Sequence, residues 1–381
     1  MFDEDSFGNF ANRSSSKWRR FEPDVLPMHV AEMDFEVAQP IRDKLAEMVS
    51  TSDLGYLGPL PEVSKAFEKF ALDRWGWQIE PHALKMATDV GVVAVEILRA
   101  VSSPGDRVLI SSPVYSAFFN WISEVGCVPA DAPLRLNGNR FELDLTAIEE
   151  QFRDGVKIYL LCSPQNPVGT VHTARELAEV ARLAKEYDVL VIADEIHAPL
   201  SWVPFTPYLA VSPEAEQTGV TISSSSKAWN TAGLKAGFAI TQSEAVRIKL
   251  SKLPEAMQWR SSILGGFAMV EAFEKGVPWL NQTVGMLQEN LAHLHSEVAR
   301  FLPGAKMFEM ESTYLAWIDL SEYKVGDPQK LILEEARVSV VAGKDHGGEK
   351  YKDCIRFNFA TSKPRITEAV RRIASVLEGN K

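Results

Sequence analysis

Four serines and a lysine, Ser223 to Lys227, close a short β-like run in "GVTISSSSKAWNTAGLKAG", and a second lysine, Lys235, follows between small residues. A phosphate group needs hydroxyls, a cation and free N–H groups at a helix start. Ser224, Ser226 and Lys235 supply the first two, and Val90 and Gly91 of "TDVGVV" open a helix that supplies the third. Lys227 is then left over beside a phosphate that it is not needed to neutralise. An ordinary lysine, with a pKa of about 10.4, is a poor nucleophile at neutral pH. One joined to an aldehyde as a Schiff base escapes that limit. The cofactor that carries both an aldehyde and a phosphate is pyridoxal 5′-phosphate, which also needs an acid on its ring nitrogen. Asp194, ending the apolar run "VLVIAD", suits that task, because a carboxylate emerging there is costly unless paired. The plainer readings are a flexible Ser-rich linker for the loop and a helix cap for Asp194. Neither GxxxxGK[ST] nor GxGxxG occurs, so a nucleotide phosphate loop is not supported.

These residues need a frame that brings them together. The runs 107–112, 156–162, 189–195 and 219–224 are continuously apolar, as strands of a parallel sheet covered on both faces are. Between two of them Thr173-x-x-Glu176 resembles a capping box, followed by Leu177, Val180, Ala181 and Ala184 at helical spacing. Strand, helix, strand predicts an α/β domain with a mostly parallel central sheet and helices on both faces. In such sheets ligands bind beyond the carboxyl ends of the strands. "CSPQNPVGT", "ADEIHAP" and "SSSSK" each follow such an end. From residue 277 a long amphipathic helix is expected to run to Pro303, with Leu280, Val284, Leu287, Leu291, Leu294, Val298 and Phe301 along one stripe. Strand-like "TYLAWIDL" and "CIRFNFA" come after it. The predicted division is an N-terminal segment 1–45 belonging to a smaller domain, a large α/β domain 46–275, and a small α+β domain 276–381.

The chain has 381 residues and a formal net charge of −11, which argues against nucleic acid and anionic membranes as partners. Its amino terminus, "MFDEDSFGNF", lacks the layout of a signal peptide, and no apolar run approaches a membrane span. Cys127, Cys162 and Cys354 are widely spaced in apolar surroundings and predict buried reduced thiols. A cytoplasmic protein without a metal site is the expectation.

The motifs "SSSK" with its downstream lysine, "NPVGT", "DEIH", "SPVYSAF" and "IRFNFA" together resemble the fold-type I pyridoxal-phosphate enzymes of the class I/II aminotransferase superfamily. Within it, "SSSKW", "LPMHVAEMDF" and "TYLAWIDL" are similar to the MalY/PatB-type cystathionine β-lyases, which are cysteine-S-conjugate β-lyases. The resemblance implies that Lys227 binds the cofactor aldehyde and later shuttles the Cα proton. It implies that Asp194 pairs with the ring nitrogen, Asn166 hydrogen-bonds the 3′-oxygen and Tyr115 stacks on the ring. Ser224, Ser226, Lys235 and the backbone of Val90 and Gly91 would hold the phosphate. Tyr56 of "GYLG" would reach the phosphate of a neighbouring subunit, which implies a homodimer with shared sites. Arg356 would clamp the substrate carboxylate, with Ala31, His29 and Trp229 lining the substrate pocket. His197 stands where aspartate aminotransferases have a tyrosine, and both direct cofactor contact and a supporting role stay open. His29, Glu32, Pro199 and Trp229 depart from the usual pattern, and of these His29 and Trp229 bear on substrate choice. The implied reaction is β-elimination from L-cystathionine or a related S-conjugate. The rivals are an aminotransferase, which shares every cofactor residue, and a lyase-like protein with a regulatory partner.

Overall fold

The computed structural model describes residues 13–80 and 82–378; the acidic amino terminus singled out above lies outside them. A central seven-stranded sheet holds β1 Leu84–Ala87, β2 Arg107–Ile110, β3 Val128–Asp131, β4 Ile158–Cys162, β5 Leu190–Asp194, β6 Gly219–Ser223 and β7 Gly237–Ile240. Their order is β1-β7-β6-β5-β4-β2-β3. β2, β3, β4, β5 and β6 run parallel to one another, and only β7 runs against both its neighbours. Every residue of β4, β5 and β6 is buried, which explains their unbroken apolar sequences.

The reversal of β7 follows from its connection. Parallel neighbours need a crossover long enough to hold a helix, whereas an antiparallel pair can be joined by a compact loop. Residues 224–236 form such a loop, so the lysine motif stays at the edge from which β6 emerges. β1 leads directly through Asp89 into α1, Val90–Val101, at the same edge. α2, Ala117–Glu124, follows β2 by way of Tyr115. The predicted capping box opens α3, Ala174–Glu186: Thr173 Oγ1 accepts from Glu176 N–H at 3.2 Å, and Glu176 Oε2 accepts from Thr173 N–H at 2.7 Å. Such a cap contributes about 1 kcal/mol.

The long helix, α4, spans Val277–Phe301. Leu280, Val284, Leu287, Leu294 and Val298 are buried as predicted, while Leu291 and Phe301 are half-buried against the core. A four-stranded antiparallel sheet follows, centred on β8 Leu315–Asp319 and β9 Cys354–Asn358. The N-terminal segment joins this part of the chain, with Leu26–Pro27 pairing in parallel with Val338–Ser339. Of the cysteines, Cys127 and Cys162 are buried; Cys354, against expectation, is half-buried, at the first residue of β9. No helix among the described residues is long and apolar enough to cross a membrane.

Candidate active site

The strand ends converge on a cavity of about 300 Å³. Ala31, Val90, Gly91, Tyr115, Asn166 and Asp194 line it. His197, Ser226, Lys227 and Lys235 complete the set of predicted residues that face it. Asp194 is the last residue of β5 and pairs in register with Cys162 of β4 and Ile222 of β6, so it emerges at the middle of the parallel strands. The residue is 4 % exposed, and its Oδ1 accepts a hydrogen bond from Ile196 N–H at 3.1 Å. Burial lifts its pKa to about 7 despite that bond and the nearby Lys227 charge.

Lys227 answers from the loop after β6. Its Nζ donates to the Ala31 carbonyl at 3.2 Å, and Tyr314 Oη donates to that same carbonyl at 3.0 Å. Burial, with the Arg356 cation, lowers the amine to about 8. The segment carrying Ala31 is held along its backbone: Asn358 Nδ2 donates to the carbonyls of Val30 and Glu32, and Asn230 bonds both N–H and C=O of Met33. A buried ion pair, Lys17 Nζ to Asp34 Oδ1 at 2.7 Å, anchors its far end.

Arg356 projects from β9 beside the cavity. Its Nη1 donates to Asn166 Oδ1 at 3.3 Å and its Nη2 to the His29 carbonyl at 3.0 Å, while its buried Nε has no partner. Burial lowers its pKa, and no carboxylate pairs with it among the described residues. Here is a desolvated cation with one donor unused. His197 lies at the cavity wall, its Nδ1 buried without a partner, and burial with the Lys227 charge holds it neutral at about 3.

The phosphate end is shaped by glycine. A Cβ on Gly91 would stand 3.1 Å from the Trp121 ring and 3.3 Å from Asp89 Oδ1, so a side chain here would crowd the first turn of α1. The N–H groups of Val90 and Gly91 have no acceptor within the helix. An anion at this end, a cationic ring nitrogen at Asp194, an aldehyde at Lys227 and a carboxylate at Arg356 are what the donor and acceptor set fits.

Several of the predicted residues lie away from the cavity lining. Ser224 does not face the cavity: its Oγ donates to the Ala236 carbonyl at 2.6 Å and accepts from Ser226 N–H, bracing the loop instead. Trp229 points into the core, where Nε1 donates to the Gly276 carbonyl at 3.0 Å and its ring meets Phe70 and Phe273 edge-on. The His29 side chain packs against Phe21, outside the cavity, and only its carbonyl reaches the site through Arg356. Tyr56 stands apart from all the others and is 92 % exposed. Five lining residues escaped the sequence reading: Asp89, Trp121, Cys162, Ile196 and Ala232. Trp121 had a signal, since it lies in the helix that follows Tyr115, and its ring meets the tyrosine edge-on at 5.8 Å.

Known proteins resemble this chain over nearly its whole length. A relative from Mycobacterium tuberculosis is 38% identical over 97% of this chain and 96% of its own. A cystathionine β-lyase from Corynebacterium glutamicum is 33% identical over 96% of this chain and 97% of its own. The crystal structure of cystalysin from Treponema denticola, which contains a pyridoxal 5′-phosphate cofactor, covers 100% of both chains with a TM-score of 0.94 at 24% identity, a likeness of fold. The pattern described as aminotransferase class I and II matches residues 23–373, and the chain belongs to that family.

Proposed function

We propose that the protein is a pyridoxal-phosphate-dependent carbon–sulfur β-lyase that splits L-cystathionine or related cysteine S-conjugates into thiol, pyruvate and ammonia. The observation that carries this reading is Lys227 and Asp194 on one cavity beside Arg356, a half-buried amine and two buried charges without ion pairs among them. The bound cofactor supplies an aldehyde for the amine and a cationic ring that accepts electron density from the substrate Cα. Asp194 Oδ would hold a proton on the ring nitrogen, with the apolar strand behind it keeping water away. Asn166 would donate to the ring oxygen, and Tyr115, on the cavity wall, would contact the ring. Arg356 takes the substrate carboxylate, offering its free Nε and releasing Asn166, and so fixes the Cα–H bond relative to Lys227. Lys227 Nζ removes the Cα proton. As the Cβ–S bond breaks, the sulfur leaves as thiolate with the bonding pair, and water converts the remaining enamine to pyruvate and ammonia. The likeness to the Corynebacterium lyase supports this outcome over amino transfer.

A homodimer with shared sites belongs to the same reading. Tyr56 lies with exposed Leu54 and Trp259 on one surface, which is where a neighbouring subunit would draw on its hydroxyl. A cytoplasmic location is in keeping with three unpaired thiols.

Incubation with L-cystathionine alone should release pyruvate and free thiol in equal amounts. Amino transfer that requires an added 2-oxo acid, with no thiol, would refute the lyase reading. The lowered lysine pKa gives a second expectation. A depressed pKa means that the neutral amine predominates above about 8 rather than above the ordinary 10.5. Capture of added pyridoxal phosphate by cofactor-stripped protein, trapped on Lys227 with borohydride, should therefore accelerate through about pH 8 and then level off. A rate still climbing at pH 10 would contradict the depressed pKa. The dimer is tested by mixing Tyr56→Phe with Lys227→Ala after subunit exchange. One site then carries both defects and the other neither, so activity should partly return; no recovery would mean that Tyr56 serves its own chain.

A further inference from the structure

The phosphate end of the cavity already contains a carboxylate. Asp89 caps α1 with Oδ1, which accepts from Val92 N–H at 2.8 Å. Its Oδ2 accepts from Lys235 Nζ at 3.0 Å, and both residues line the cavity. The two glycines leave space for this carboxylate, since a Cβ on Gly237 would stand 3.2 Å from the Asp89 Cα and one on Gly91 3.3 Å from its Oδ1. Lys235 has a left-handed backbone with φ of 51°, unusual for a residue with a Cβ, and its side chain is largely exposed, free to turn. The cation expected to neutralise a phosphate is thus engaged by this chain's own carboxylate. The positive end of α1 is likewise satisfied in part by the same group.

We propose that Asp89 competes with the cofactor phosphate for Lys235 and for the amino end of α1, so that it weakens cofactor retention and ties occupancy to cofactor concentration. This rests on the proposed function. Entry of the phosphate turns Lys235 from Asp89 toward the incoming anion and leaves two like charges facing each other across the first turn of α1. An uncharged residue that still caps the helix would remove that repulsion and free the lysine.

Asp89→Asn makes that change alone, since asparagine caps a helix as well as aspartate does. Dissociation constants for pyridoxal 5′-phosphate and for pyridoxal, which lacks the phosphate, are read by absorbance titration, together with the rate of cofactor loss from diluted holoprotein. The phosphate form should bind about tenfold tighter and leave more slowly, while pyridoxal binding stays unchanged. Asp89→Ser, also a good cap, should give the same pattern if the asparagine variant folds poorly. Unchanged or weaker binding of the phosphate form, or equal tightening of both ligands, overturns the proposal. Borohydride labelling of Lys227 in the unaltered protein separates the two levels: no label removes the proposed function itself, whereas a label with unaltered affinity in Asp89→Asn removes only the role of Asp89.

Discussion

A carboxylate at the end of a buried apolar strand is the constraint around which this molecule is arranged. Asp194 ends β5 in the middle of the sheet, a backbone N–H donates to it, and burial lifts its pKa to about 7. An isolated charge so placed is costly, and a chain free to relax would pair it. Lys227 and Arg356 are near enough to influence the same cavity, yet neither forms a salt bridge to it among the described residues. Lys227 is tied instead to the Ala31 carbonyl, and Arg356 to Asn166 and the His29 carbonyl. Three ionisable groups are thus kept apart, each with its pKa moved against its charged form. Such displaced groups in one cleft mark a site prepared for a charged ligand.

What holds them apart is backbone. The parallel strands fix Asp194 and Cys162 at one level, β7 folds back so that the lysine loop closes over that edge, and β9 delivers Arg356 from the smaller sheet. The segment around Ala31 links the two sheets, because its carbonyls receive donors from Asn358, Tyr314 and Lys227 at once. Movement of that segment would alter the lysine and the arginine together. Cofactor chemistry and substrate binding therefore share one mechanical support.

Much of this was legible in the sequence where short-range physics decides. The buried strands announce themselves by unbroken apolar runs, α3 by its capping box, and α4 by its stripe. The resemblance to known motifs picked out Lys227, Asp194, Asn166 and Tyr115, which the structure brings to one cavity. Side-chain direction was the weaker part. Trp229 lies two residues beyond Lys227, but the loop turns its ring into the cluster with Phe70 and Phe273, where burying a large aromatic surface outweighs lining a polar cavity. Ser224 is spent on loop closure, and His29 reaches the site by its carbonyl alone. Asp89 passed unnoticed because a helix cap looks ordinary until its second oxygen is seen on Lys235. The direction of β7 depends on how residues 224–236 fold, which no local periodicity reports.

The central claim is that the Asp194 carboxylate is kept without a cation of its own so that it can hold a proton on the ring nitrogen of the cofactor. Asp194→Asn preserves shape and the bond from Ile196 N–H but cannot hold that proton. The direct measurement is pyruvate release from L-cystathionine by this variant, beside borohydride labelling of Lys227 to show that cofactor is bound. Turnover should fall by about a hundredfold or more with labelling retained. Turnover within a few-fold of the unaltered protein, at equal labelling, would contradict the account.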